Sequence, residues 1–170
     1  MNDNNNRKRI ILMSIPSKNA KLIFDEVRKF EFRRCSLRKE DLNKKIYVCS
    51  IGEDKAIMGY IKVSEVLKGN INQILELTGY KNKKDVISCC GINSQNCCAL
   101  KLYDVTEFRE YLELSDLRNV NPKIKLPQYY SYIYDEDPVY QLIEDWDRKY
   151  SLDGQIRQDV YKIRILSKLK

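Results

Sequence analysis

The sequence predicts an α+β fold: a small β-barrel with flanking helices and a helical extension at its C-terminal end. Three observations point there. Short apolar or alternating runs of strand length recur through the first two-thirds of the chain. Between them, two helix-like stretches are each closed by a glycine, Gly79 and Gly91. After Pro138 the apolar spacing becomes helical, with Val139, Leu142, Ile143 and Trp146 at i, i+3, i+4 and i+7. A chain of 170 residues suits one domain with an appendage.

The elements follow in order. Residues 1–8 read as a disordered arm and 9–14 as a short buried strand. Ser17 can cap a helix to about residue 27, with Ala20, Phe24 and Val27, joined by Leu22 and Ile23, near helical spacing. Strict alternation then sets Phe30 and Phe32 against Lys29, Glu31 and Arg33, the pattern of a half-buried strand with a charged open face. Strands are predicted over 46–49, 56–67 and 97–102, and helices over 71–77 and 84–90. Phe108, Tyr111, Leu112 and Leu117 mark a helical turn or an extended edge, and Pro122 and Pro127 frame a loop that ends in Gln128-Tyr129-Tyr130-Ser131-Tyr132. The domain spans residues 9–135 and the extension 136–170, whose second, basic helix carries Ile156, Val160, Ile163, Leu166 and Leu169.

Charge is unevenly placed. Residues 1–45 hold 13 Lys and Arg against 6 Asp and Glu, and residues 154–170 hold 5 against 1, within an overall +7. Such asymmetry is the footprint of a polyanion binder, set against the plainer reading of solvated faces. The chain has no histidine, which removes Ser-His-Asp and Cys-His catalysis and every imidazole metal site. No run of eighteen apolar residues is present, and the apolar stretch after the basic start is too short for a secretory segment. A cytoplasmic protein without membrane association is expected. On that basis the six cysteines are expected to be small buried hydrophobes rather than disulfides. The paired spacing Cys89-Cys90 and Cys97-Cys98 lacks the C-x2-C pattern of zinc knuckles, so neither metal nor cofactor is predicted.

The order of particular residues resembles a family. Leu12-Met13-Ser14-Ile15, a helix, Arg28-Lys29-Phe30-Glu31-Phe32-Arg33 and Ile46-Tyr47-Val48-Cys49-Ser50 are similar to the ASCH domain, a branch of the PUA-like barrels. Lys55-Ala56-Ile57-Met58-Gly59, Leu114-Ser115-Asp116-Leu117 and the tyrosine-rich run at 127–132 extend the likeness over residues 9–133. It implies a curved barrel of about five to six strands with a cleft beside the first helix. The family's Gly-x-Lys-x-x-Glu-x-Arg signature falls on Glu26, Arg28, Glu31 and Arg33, of which the last two match. One relative hydrolyses acetylated cytidine with a Lys and a Thr three residues later; the corresponding residues here are Arg28 and Glu31. A guanidinium that stays protonated is a poor proton shuttle, which favours binding over catalysis. Other members bind or cleave RNA, and eukaryotic ones occur in transcription coactivators.

The expected function is therefore binding of RNA or single-stranded nucleic acid through a cationic cleft, possessing no assigned catalytic residue. Arg28, Lys29, Glu31, Arg33 and Arg34 are its expected residues, with Ser50 shaping the cleft and Tyr129 and Tyr130 stacking on bases or plugging a barrel end. Glu31 reads equally as the ion-pair partner that orders Arg33 or Arg28. Gly59 either lets backbone approach the cleft closely or relieves a bulge. Two alternatives stand beside this: a hydrolase (amidohydrolase or ribonuclease) acting on RNA or a modified nucleoside, and a protein-interaction module using residues 137–170.

Overall fold

A computed structural model describes residues 7–34, 36–52, 54–151, 163 and 166–169. Among the described residues six strands and five α-helices follow in order: β1 (Arg9–Pro16), α1 (Ser17–Phe24), β2 (Phe30–Arg33), β3 (Ile46–Ile51), β4 (Ala56–Gly69), α2 (Ile71–Thr78), α3 (Lys83–Cys90), β5 (Cys97–Glu113), α4 (Leu114–Val120), β6 (Tyr130–Tyr134) and α5 (Pro138–Tyr150). The strands form one mixed sheet in the order β2-β5-β4-β3-β1-β6. β1 runs parallel to β3 and antiparallel to β6. The α+β class stands, but the order does not return to its start, so the described ladders form an open sheet rather than the expected closed barrel. None of the described helices is long and apolar enough to cross a membrane.

The chain divides into two compact units, and the long strands β4 and β5 pass through both. The first unit comprises Met1–Ser17, Ile46–Tyr60 and Thr106–Lys170. Its core joins Ile10 and Leu12 of β1, Tyr47 and Cys49 of β3, Phe108 and Leu112 of β5, Leu114 and Leu117 of α4, and Val139 and Ile143 of α5. The apolar face read from the spacing after Pro138 is thus spent on this core. Asp137 caps α5 by accepting from the Val139 N–H at 2.9 Å, directly before the N-terminal proline. The Tyr47 hydroxyl donates to Asp147 of α5 at 2.6 Å, and both residues are buried. Burial and that carboxylate hold the Tyr47 phenol protonated, far above the ordinary tyrosine range. A Cβ at Gly59 would lie 2.1 Å from the Thr106 carbonyl oxygen. The neighbouring strand therefore accounts for this glycine without any ligand.

The second unit comprises Lys18–Lys45 and Ile61–Val105. Phe32, Ile71, Ile74, Val86, Cys90, Cys97 and Ala99 form its core. Both predicted helices are present, each with an asparagine cap: Asn70 accepts from Gln73 N–H and Asn82 from Asp85 N–H. Cys90 and Cys97 are joined in a disulfide with Cα atoms 5.4 Å apart, which corrects the expectation of independent thiols. α3 ends in Gly91 and the chain reverses through six residues into β5, bringing the two sulfurs together. Cys49, Cys89 and Cys98 remain thiols.

Of the two readings of residues 108–117, the extended one holds to the end of β5 and a helix, α4, follows. The expected disordered arm is corrected in part. Arg7 of the expected arm pairs with Glu136 and lies over the Tyr134 ring, while residues 1–6 fall outside the described residues. The predicted basic helix after Gly154 lies mostly outside them too.

Candidate nucleotide-binding site

The first helix ends three residues short of the predicted limit, and its ending aims the site. Glu26 N–H bonds to the Ile23 carbonyl, and Val27 N–H to that of Leu22, the paired closure of a Schellman motif. The residue at its turning point must be left-handed, and Glu26 has φ 58°. That is the position where the family signature has glycine. The reversal leaves Val27 exposed, against the helical reading, and turns Arg28 inward.

Arg28 is 2% exposed, Glu31 3% and Arg33 8%, while Lys29 and Arg34 are exposed. β2 is therefore buried on both faces rather than open on one, because charges on one face compensate one another. Arg28 Nε donates to the Phe30 carbonyl at 2.9 Å and Nη2 to Cys89 Sγ at 3.4 Å. Its guanidinium lies 3.7 Å from Glu31 Oε2 and 3.3 Å from Asp85 Oδ2. Arg33 Nη1 is 3.9 Å from Glu31 Oε1. The Phe32 ring centroid sits 5.2 Å from Arg28 Cζ and 4.9 Å from the Tyr80 ring, whose hydroxyl donates to Asp85 Oδ2 at 2.7 Å. Both α3 residues, Asp85 and Cys89, are additions to the sequence-derived set. Asp85 reads in sequence only as an acidic first-turn residue favourable to the helix dipole, which says nothing of Arg28.

Burial pushes the Glu31 carboxyl up to about 7, against the pull of Arg28 and Arg33. For Arg28 burial pulls downward, but Glu31, Cys89 and Asp85 outweigh it, so the guanidinium stays charged. Burial raises Cys89 as well, against Arg28, so this residue is a thiol and a weak nucleophile. Burial and the Asp85 contact push Tyr80 up to about 12. Two buried atoms, Arg28 Nη1 and Glu31 Oε2, make no hydrogen bond. Both belong to ion pairs all the same, Nη1 with Asp85 and Oε2 with Arg28 Nη2, so the group holds a donor and an acceptor whose hydrogen bonds are unmade. No group of three or more potential metal ligands occurs among the described residues.

Ser50, Tyr129 and Tyr130 belong to the other unit. The Ser50 hydroxyl is committed to the β3–β4 turn, donating to the Asp54 carbonyl and accepting from Ala56 N–H at 3.4 Å. Tyr129 is exposed, and Tyr130 starts an aromatic row on β6.

No family model matches the sequence, and no curated protein matches it. Solved structures do. The crystal structure of the ASCH protein of Zymomonas mobilis aligns with 78% of this chain and 92% of its own, at 18% identity and TM-score 0.66. Two single-substitution variants of that protein align over 79% and 81% of this chain and 94% and 98% of theirs, at 19% and 18% identity and TM-scores of 0.66 and 0.68. At this identity the likeness concerns the arrangement of strands and helices. This chain shares the fold of the ASCH structures.

Proposed function

We propose that this chain binds RNA or another single-stranded nucleic acid, with the unit built on β2 and α3 receiving an exposed nucleotide. The observation that carries this reading is the Arg28–Glu31–Arg33 group, in which a guanidinium N–H and a carboxylate oxygen are buried without hydrogen bonds. Both atoms stand in ion pairs, Nη1 with Asp85 Oδ2 at 3.3 Å and Oε2 with Arg28 Nη2 at 3.7 Å, but their hydrogen-bonding capacity is unused, and a bound base edge would use it. The exposed Lys29 and Arg34 flank the group as phosphate contacts, and the excess of positive charge in residues 1–45 favours a polyanion. A cytoplasmic setting belongs to the same reading.

Salt titration of oligoribonucleotide binding tests it. The logarithm of affinity should fall linearly with the logarithm of salt, by about 0.7 per phosphate contacted. Lys29→Ala or Arg34→Ala should flatten that slope, and Glu31→Gln should weaken binding at every salt concentration. Salt-independent affinity would refute the proposal.

One observation favours a second reading. A carboxyl near 7 is matched to general acid–base work at neutral pH, which suits a hydrolase acting on RNA or a modified nucleoside. Arg28 could then only orient substrate, since it stays protonated. Turnover of RNA or an acylated nucleoside, lost in Glu31→Gln, would establish that activity; no turnover by the wild type would eliminate it.

A further inference from the structure

β6 ends the strand order of the sheet. Its residues alternate between two faces, and Ile133 packs against the core of its unit. Tyr130, Tyr132 and Tyr134 share the opposite face, all half-buried. Their rings form a continuous row, with centroids 5.9 Å apart at 86° between Tyr130 and Tyr132, and 6.3 Å apart at 51° between Tyr132 and Tyr134. The strand β1 supplies the cations: Arg9 is in register with Tyr134, and its guanidinium lies 3.9 Å from the Tyr132 ring centroid. The Arg7 guanidinium lies 4.1 Å from that of Tyr134 and also pairs with Glu136.

A tyrosine row that served only to cover a core would bury its rings and would need no guanidinium on them. Here the rings keep part of their surface in water, and two arginines extend the row as planar cationic groups. We infer that Tyr130, Tyr132 and Tyr134, with Arg7 and Arg9, form a stacking platform for the unpaired bases of a single-stranded nucleic acid. Every base has a π-face, so such a platform holds a strand without reading its sequence. The run from Tyr130 to Tyr134 covers about 13 Å of strand, and sheet aromatics of this kind take two or three bases. A peptide added at the β6 edge would use backbone groups instead and would leave this row of side chains without a role.

The platform rests on the nucleic-acid reading for the class of its ligand, but its residues belong to the other unit and can be tested separately. The probe is a fluorescein-labelled oligouridine followed by anisotropy, together with the same oligomer carrying abasic positions. In Tyr132→Leu and Tyr134→Leu, which keep an apolar strand residue, affinity should fall about 10-fold for each base released. The salt slope should stay that of the wild type, because no phosphate contact is removed. Abasic positions should weaken wild-type binding and have little further effect on the leucine variants. Tyr132→Phe keeps the ring and should bind as the wild type does, which separates stacking from damage to the fold. Wild-type affinity in both leucine variants, alongside weakened binding in Glu31→Gln, would overturn the platform and leave the binding function standing. Failure of the wild type to bind any oligomer would overturn both.

Discussion

The charge state of Glu31 makes a quantitative prediction about stability. In the unfolded chain its carboxyl titrates near 4.5, and in the fold burial raises it to about 7. Below about pH 4.5 both states hold the proton and the folded state bears no buried anion. Between 4.5 and 7 the folded state keeps a proton that the unfolded state has released, so each step upward in pH costs stability. Above about pH 8 both states are ionised and the loss is complete. A displacement of about 2.5 in pKa, at about 1.4 kcal/mol for each, amounts to roughly 3 kcal/mol. Glu31→Gln keeps the side chain's size and an acceptor but has nothing to titrate, so it isolates this contribution. Urea unfolding of both proteins at intervals from pH 4 to 8 supplies the measurement. Circular dichroism is the suitable probe, because the single Trp146 lies in the other unit. Relative to the variant, the wild type should lose roughly 3 kcal/mol across that range. A flat difference would refute the burial argument. A wild type that gains stability with pH would show that Arg28 and Arg33 overcome desolvation and hold Glu31 ionised.

Three further outcomes follow from the same geometry. Tyr47→Phe removes the donor to buried Asp147 at 2.6 Å and should cost about 2 kcal/mol in urea unfolding; a change below about 0.5 kcal/mol would mean that this bond does not secure α5. Glu26→Gly relieves a left-handed side chain at φ 58° and should raise stability by about 0.5–1 kcal/mol, read as an increase in Tm. Reduction of Cys90–Cys97 by a dithiol opens a loop with a separation of 7 residues and should lower stability by about 2 kcal/mol, with Cys97→Ser reproducing the loss under oxidising conditions.

Much of the fold was legible because its signals are local. The closing glycines of α2 and α3, and the apolar face of α5, each follow from residues within a few positions of one another. Longer-range geometry was not legible. The second half of β5 reads either as a helical turn or as an extended edge, because Phe108, Tyr111, Leu112 and Leu117 fit neither period cleanly; what makes it strand is pairing within the sheet. The Cys90–Cys97 bond depends on the path of the intervening loop, and neither cysteine states its partner. Gly59 was read against a ligand or a bulge, when the constraint was the carbonyl of Thr106, far along the chain.

The site separates these two kinds of information within one strand. Alternation assigned Phe32 to the core correctly, but it assigned Glu31 and Arg33 to an open face on the assumption that charged residues meet water. That assumption fails when charges bury one another, and here the missing partners, Asp85 and Cys89, come from a helix more than fifty residues onward. Their effect changes what the strand can do. An open row of cations would attract any polyanion, with energies set by salt. A buried group with one guanidinium donor and one carboxylate acceptor lacking hydrogen bonds would, on the proposed function, select for shape and hydrogen-bond pattern as well. Under the proposed function, exposed Lys29 and Arg34 would supply the general attraction, and buried Arg28 and Glu31 the discrimination. On that proposal the same seven-residue stretch, 28–34, divides capture from recognition, with only the first of these visible in its charge pattern.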